Sequence, residues 1–184
     1  MKRYIHNSEN NTVLTVYYGT NDVQYAKQHI IDFKWNDLGI HCGSLEQSKS
    51  HGKFIFEVKI SSNARIVDCE DQVNGWNIPT AISAILAANG ITISTDKIVD
   101  YMRKTGWNNS GEKSKLLATF LIHNNVDGCR YINKADSVHD ISYCIFNPAV
   151  ISSFKLLESK ISSDEKSNNN TSNKEDTTNN EKSN

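Results

Sequence analysis

Runs rich in β-branched and aromatic residues stand at both ends of this chain, and helical patterns fill the space between them. VLTVYY (Val13–Tyr18) and FIFEVKI (Phe54–Ile60) come early, while CRYI (Cys129–Ile132) and ISYCIF (Ile141–Phe146) come late. Such runs suit a pleated, half-buried surface, so all four are predicted strands. Trp76–Asn89, Asp96–Thr105 and Ser110–Asn124 carry apolar residues at helical spacing instead. A repeating strand–helix alternation is not present, and this order predicts a mixed α+β domain.

Local signals sharpen the boundaries. Gly19-Thr20 reads as the turn that stops the first strand, and Asn21 or Asp22 caps a helix running to Phe33. Gly39–Cys42 is short enough to be only a strand end. Ser44 with Gln47 three residues later has the spacing of a capping box. Ala64–Val67 is expected to continue the same sheet as Phe54–Ile60 after a turn. Pro79 is tolerated in the first turn of its helix, and Gly90 suits the end of that helix. Ser94 or Thr95 starts the next one, which stops at Gly106. Asp127-Gly128 turns into the third strand-rich segment, and Asn147-Pro148 ends the fourth.

Apolar residues are spread unevenly. From Ser159 to Asn184, Ile161 is the only apolar residue. Such a segment cannot bury enough surface to offset the entropy of ordering it, so residues 158–184 are expected to be a disordered polar tail. Residues 1–12 are also polar and are expected to be flexible, which leaves residues 13–157 as the folding domain. Formal net charge is −1, so no global basic field points to nucleic acid, although a local patch would suffice for it. MKRY is followed by IHNSENN and not by an apolar run, and no stretch approaches the roughly 20 apolar residues of a membrane span. The expectation is a soluble, cytoplasmic protein with no membrane partner, reaching any host cell by a route that needs no secretory signal.

Several chemistries compete for the residues that remain. His41 and Cys42 are adjacent between Gly39 and Gly43. A thiolate nucleophile needs a base within hydrogen-bond reach, but neighbours on a strand point to opposite faces, so His41 is badly placed to activate Cys42. A Cys42-centred hydrolase would need another histidine. Gly39 and Gly43 lack the lysine and third glycine of a phosphate loop. Asp68-Cys69-Glu70-Asp71 offers oxygen ligands for a hard cation, but an acidic surface turn explains it as well. The four cysteines (42, 69, 129 and 144) show no paired spacing for zinc, so no metal site is expected and packing is the simplest role. Trp35, Trp76 and Trp107 are too far apart in sequence for a stacking platform and read as core or half-buried residues.

Three segments taken together resemble the ADP-ribosyltransferase superfamily, in the branch whose first motif is histidine-glycine-threonine. They are VYYGTN (Val16–Asn21), GIHCGSLEQS (Gly39–Ser48), and the stretch from DGCRYIN (Asp127–Asn133) to SYCIFNPAVI (Ser142–Ile151). The last run is the most specific, and the helical middle, about residues 74–125, is unmatched. The resemblance implies a split β-sandwich with a helical insertion, holding NAD⁺ as co-substrate in a cleft between two small sheets. It implies transfer of ADP-ribose from NAD⁺ to a macromolecular acceptor, protein or nucleic acid, with nicotinamide leaving. Small domains of this kind act as toxins, effectors or phage proteins that modify a host factor.

On that resemblance, Gly19 grips the nicotinamide carboxamide through its backbone, Tyr18 stands where the family has histidine, and Thr20 matches threonine or serine. His41 packs near the nicotinamide ribose, and Gly43-Ser44 turn into the following helix. Tyr18, His41 and Asp136 are the implied catalytic residues, and Tyr18, Gly19, Thr20, His41, Gly43 and Ser44 the implied NAD⁺-binding ones. Asp136 is the third-motif acid by spacing, with Asp140 as its competitor; a carboxylate there stabilises an oxocarbenium-like transition state. Two positions depart from the pattern: a phenol at 18 lacks the two ring nitrogens of imidazole, and aspartate is one methylene shorter than the commoner glutamate. A non-catalytic module binding NAD⁺ or a partner is therefore the alternative reading. From composition alone, removing Ser159–Asn184 is expected to leave the melting temperature nearly unchanged, and differential scanning calorimetry of the two chains checks it.

Overall fold

The computed structural model describes residues 13–31, 38–69, 78–104, 111–134 and 140–159. Residues 1–12, nearly all of the polar tail, Asp136 and the three tryptophans lie outside the described residues.

Among the described residues, seven strands form two sheets. The first is three-stranded, in the order β1 (Leu14–Thr20), β3 (Phe54–Ile60), β7 (Ile151–Ser159), all antiparallel. The second is four-stranded, in the order β2 (Ile40–Cys42), β6 (Asp140–Ile145), β5 (Gly128–Asn133), β4 (Ile66–Asp68). Its pairings are antiparallel except β4 with β5. Helices α1 (Val23–Ile31) and α2 (Leu45–His51) flank β2 in sequence, and α3 (Ile78–Ala88), α4 (Thr95–Lys104) and α5 (Gly111–His123) fill the link from β4 to β5. Mixed α+β architecture with two mostly antiparallel sheets is therefore observed.

Two buried clusters organise the layers. Val16, Val58 and Ile60 of the first sheet share a core with Ile40, Cys42, Ile66 and Ile145 of the second. The opposite face of the second sheet carries Val67, Cys129, Tyr131 and Cys144, which pack with Ile82, Ile85 and Leu121 of α3 and α5. The four-stranded sheet is thus covered on both faces, and its buried strands alternate between two apolar environments, not between core and water.

The structure departs from the sequence expectations in three places. Ala64–Val67 was expected to continue the sheet of Phe54–Ile60, but β4 joins the other sheet, parallel to β5. A turn closed by Ala64 N–H on the Ser61 carbonyl redirects the chain, and a parallel neighbour needs the long crossover that the three helices provide. Gly19 and Thr20 are the end of β1 and not a turn. Strand β7 was not expected, and it carries the domain two residues past the boundary set at Leu157. Its pairing with β3 is interrupted by two register shifts, which break the strict alternation by which a strand is recognised.

One polar knot ties the crossover together. Asp127, 3% exposed, receives the Arg65 backbone N–H at 2.9 Å, the Arg65 Nε at 3.2 Å and the Asn147 amide at 2.8 Å. Its own carbonyl accepts the N–H of Phe146 and of Asn147. Burial alone would raise its carboxyl pKa, but the hydrogen bonds from Arg65 and Asn147 outweigh burial and hold it below the usual carboxylate range. Asp127→Ala leaves those donors unmatched and is expected to cost about 3 kcal/mol at pH 7. Because the folded pKa is depressed, this contribution is present above the unfolded value of about 3.9 and is lost as pH falls through the folded value. Denaturant melts of wild type and variant are expected to converge at acid pH.

Candidate functional site

The two sheets touch edge to edge at one bridge. Tyr17 N–H donates to the Gly43 carbonyl and Gly43 N–H to the Tyr17 carbonyl, both at 2.9 Å. Beyond the bridge, the strands separate. Antiparallel order then sets Gly19, two residues on in β1, across from His41, two residues back in β2. A cleft of about 390 Å³ opens there, lined among others by Tyr18, Gly19, Thr20, His41, Gly43 and Tyr131.

Alternation along β1 decides what Gly19 offers. Tyr17 directs both backbone groups toward β2, away from β3, so every second residue of this regular ladder does the same. The N–H and C=O of Gly19 therefore project from the free edge of β1 into the cleft. Glycine is required here for a separate reason. A methyl group on Gly19 would land on the backbone carbonyl of Ser48 in α2, and one on Gly43 would land on the Gln47 side chain. Helix α2 is packed so closely beneath the bridge that a side chain at 19 would have to displace helix backbone and one at 43 the Gln47 amide.

The position of α2 is set by its first turn. Ser44 is the N-cap, its Oγ accepting the Gln47 N–H at 3.3 Å while its own N–H donates to Gln47 Oε1 at 2.9 Å. The other end of the same amide reaches across to β6, where Nε2 donates to Ser142 Oγ at 3.1 Å. One buried glutamine thus closes the capping box and fastens α2 to the second sheet.

The expected site residues are distributed as follows. Tyr18, Gly19, Thr20, His41 and Gly43 come together on the cleft; Ser44 is occupied in capping α2 and is not among the residues that line it. The Tyr18 ring packs beside Phe154 at 6.3 Å between centroids. Burial pushes its hydroxyl up to about 12, with Tyr25 and Cys42 adding to the rise and a hydrogen bond with Thr20 opposing it, so it stays a neutral phenol. His41 approaches the Tyr131 hydroxyl at 2.8 Å through Nδ1. Asp136 lies outside the described residues. Asp140 opens β6 on the strand face that carries Ser142, with one carboxylate oxygen accepting the Ile141 N–H at 2.7 Å.

Cys42 points away from His41, as strand geometry requires. It is 3% exposed in the core between the sheets, and burial pushes its thiol far above the ordinary range. A nucleophile needs the opposite environment. Of the acidic cluster, Asp68 is engaged with Arg130 at 3.1 Å and Cys69 is fully buried; Glu70 and Asp71 lie outside the described residues. Among the described residues, no group of three or more His, Cys, Asp or Glu is arranged to hold a metal ion.

Sequence reasoning missed Tyr131, Asn133, Gln47, Ser48 and His51, all of which line the cleft. Alternation in β5 puts Tyr131 and Asn133 on one face, but which face meets the cleft is a tertiary fact. Comparison with protein-family models, curated proteins and solved structures finds no match for this chain.

The glycines allow a direct check of the packing. Gly19→Ala must displace the backbone of α2 and is expected to cost about 2–3 kcal/mol. Gly43→Ala meets a side chain that can swing aside, and is expected to cost less while releasing Gln47 from Ser142. Gly90→Ala, at φ +82° with open space around it, should lose only about 1 kcal/mol through backbone strain. Urea denaturation of the three variants ranks them.

Proposed function

We propose that the cleft binds the nicotinamide–ribose end of NAD⁺ and that the protein is an NAD-dependent ADP-ribosyltransferase of split-sandwich type acting on a macromolecular acceptor. The observation that carries this reading is the pair of Gly19 backbone groups projecting from the open edge of β1, with an aromatic wall across the gap. A primary carboxamide carries an NH2 donor group and a carbonyl acceptor on the same carbon, so an outward N–H and C=O on a single residue can answer both. The alternation of β1 and the place of Gly19 on the cleft support that geometry. The volume of about 390 Å³ suits a nicotinamide riboside better than a whole dinucleotide, so the adenylate end is assigned to the rim.

In this reading Tyr18 and Thr20 bound the carboxamide side, and His41 forms the wall beside the ribose. A carboxylate would favour departure of nicotinamide by stabilising positive charge on the ribose, while an acceptor nucleophile takes the ADP-ribose. Asp136 is assigned that role by its place in the third motif, with Asp140 as the competitor. One feature favours a second reading, a module that binds NAD⁺ without transfer: a phenol stands at position 18, where the family pattern has histidine.

Incubation with NAD⁺ labelled in the adenylate and with cell lysate is expected to label a discrete acceptor. Asp136→Ala is expected to abolish the label while NAD⁺ affinity, measured by calorimetry, changes less than tenfold. Binding without label or nicotinamide release would establish the non-catalytic module, and absence of NAD⁺ binding would overturn both readings.

A further inference from the structure

The histidine on the cleft wall is held from behind by both of its ring nitrogens. His41 pairs with Cys144 across the β2–β6 ladder, so the two side chains share a face. Its Nε2 lies 3.6 Å from Cys144 Sγ, a fully buried atom group in the core beneath the helices. Its Nδ1 lies 2.8 Å from the hydroxyl of Tyr131, which is 1% exposed and stands on β5, one strand further from the cleft edge. The two rings meet edge to face, at 89° and 6.0 Å between centroids. A histidine that moves protons presents a nitrogen to its substrate. Here each ring nitrogen lies within reach of a protein group, Nδ1 of the Tyr131 hydroxyl and Nε2 of the Cys144 thiol.

We infer that Tyr131 is a positioning residue that, with Cys144, locks His41 in a single ring orientation and tautomer and makes it a fixed flat wall and not a general base. The proton assignment follows from donor strength. A phenol is a better donor than a thiol, so the Tyr131 O–H donates to Nδ1, and the proton on Nε2 is directed at the Cys144 sulfur. A ring fixed at two points loses no rotational freedom when a flat ligand packs on it, which is how pre-organisation raises affinity. The inference about the lock stands on these contacts; its consequence for ligand binding rests on the NAD⁺ reading above.

The test uses the full chain labelled with nitrogen-15, with the His41 ring signals assigned by their absence in His41→Phe. Wild type is expected to show the signals of one tautomer, with the ring proton on Nε2. Tyr131→Phe, which removes only the hydroxyl, is expected to give a mixture of tautomers with the melting temperature nearly kept. Its NAD⁺ dissociation constant should rise about fivefold, the size expected for one lost hydrogen bond. In the His41→Phe background, the same Tyr131→Phe change should have no further effect on NAD⁺ affinity, because the group it positions is gone. A wild-type His41 signal that averages between tautomers, or that Tyr131→Phe leaves unaltered, overturns the lock. An equal loss of affinity from Tyr131→Phe in both backgrounds overturns the positioning role. Failure of wild type to bind NAD⁺ at all overturns the proposed function instead, and the tautomer signal then still decides whether the lock exists.

Discussion

The reciprocal pair of backbone hydrogen bonds between Tyr17 and Gly43 is the joint on which the rest of the architecture depends. It couples the free edge of a three-stranded sheet to the edge of a four-stranded one, and because it spans a single residue pair, the strands part on one side of it. That parting is the cleft. A longer ladder would have merged the sheets and filled the space with paired backbone; no bridge would have left their relative position to side-chain packing alone. Directly beneath it, α2 is drawn so close that a side chain at Gly19 would run into its backbone and one at Gly43 into the Gln47 amide.

Gln47 explains how such a short joint is kept rigid. Helix α2 has only seven residues, too few to hold its position through helix propensity. The buried amide of Gln47 satisfies the Ser44 N–H at one end and Ser142 on β6 at the other. The same residue that starts the helix therefore fixes the separation of the cleft walls. The Asp127 knot plays a similar part at the far end of β5, where it anchors Arg65 before β4 and Asn147 after β6. Both are polar contacts made in places where apolar packing alone would not specify a register.

The helical middle and most strands were legible because their signals are local. The capping box at Ser44 and Gln47 and the glycine after α3 were readable from a few adjacent residues. So was the divergence of His41 and Cys42, which period-two alternation dictates. Strand β7 was not readable, because its two register shifts against β3 erase that period. Sheet membership of β4 was hidden as well, since a three-residue strand contains nothing that names its partner. Among the site residues, Gly19 and His41 stood out by their motifs, while Tyr131 looked like any aromatic in a strand.

By itself, the sequence determined the mixed α+β class, the capping box that starts α2, and that His41 and Cys42 would part company. Those properties depend on neighbours within a few positions along the chain. Only the tertiary structure decided that β1 and β2 meet at one residue pair, that Gly19 turns its backbone into the gap, and that a tyrosine ninety residues from His41 holds its ring. These depend on which strand edges come together, and pairing between distant segments is settled by the packing of the whole domain, not by any window of the chain.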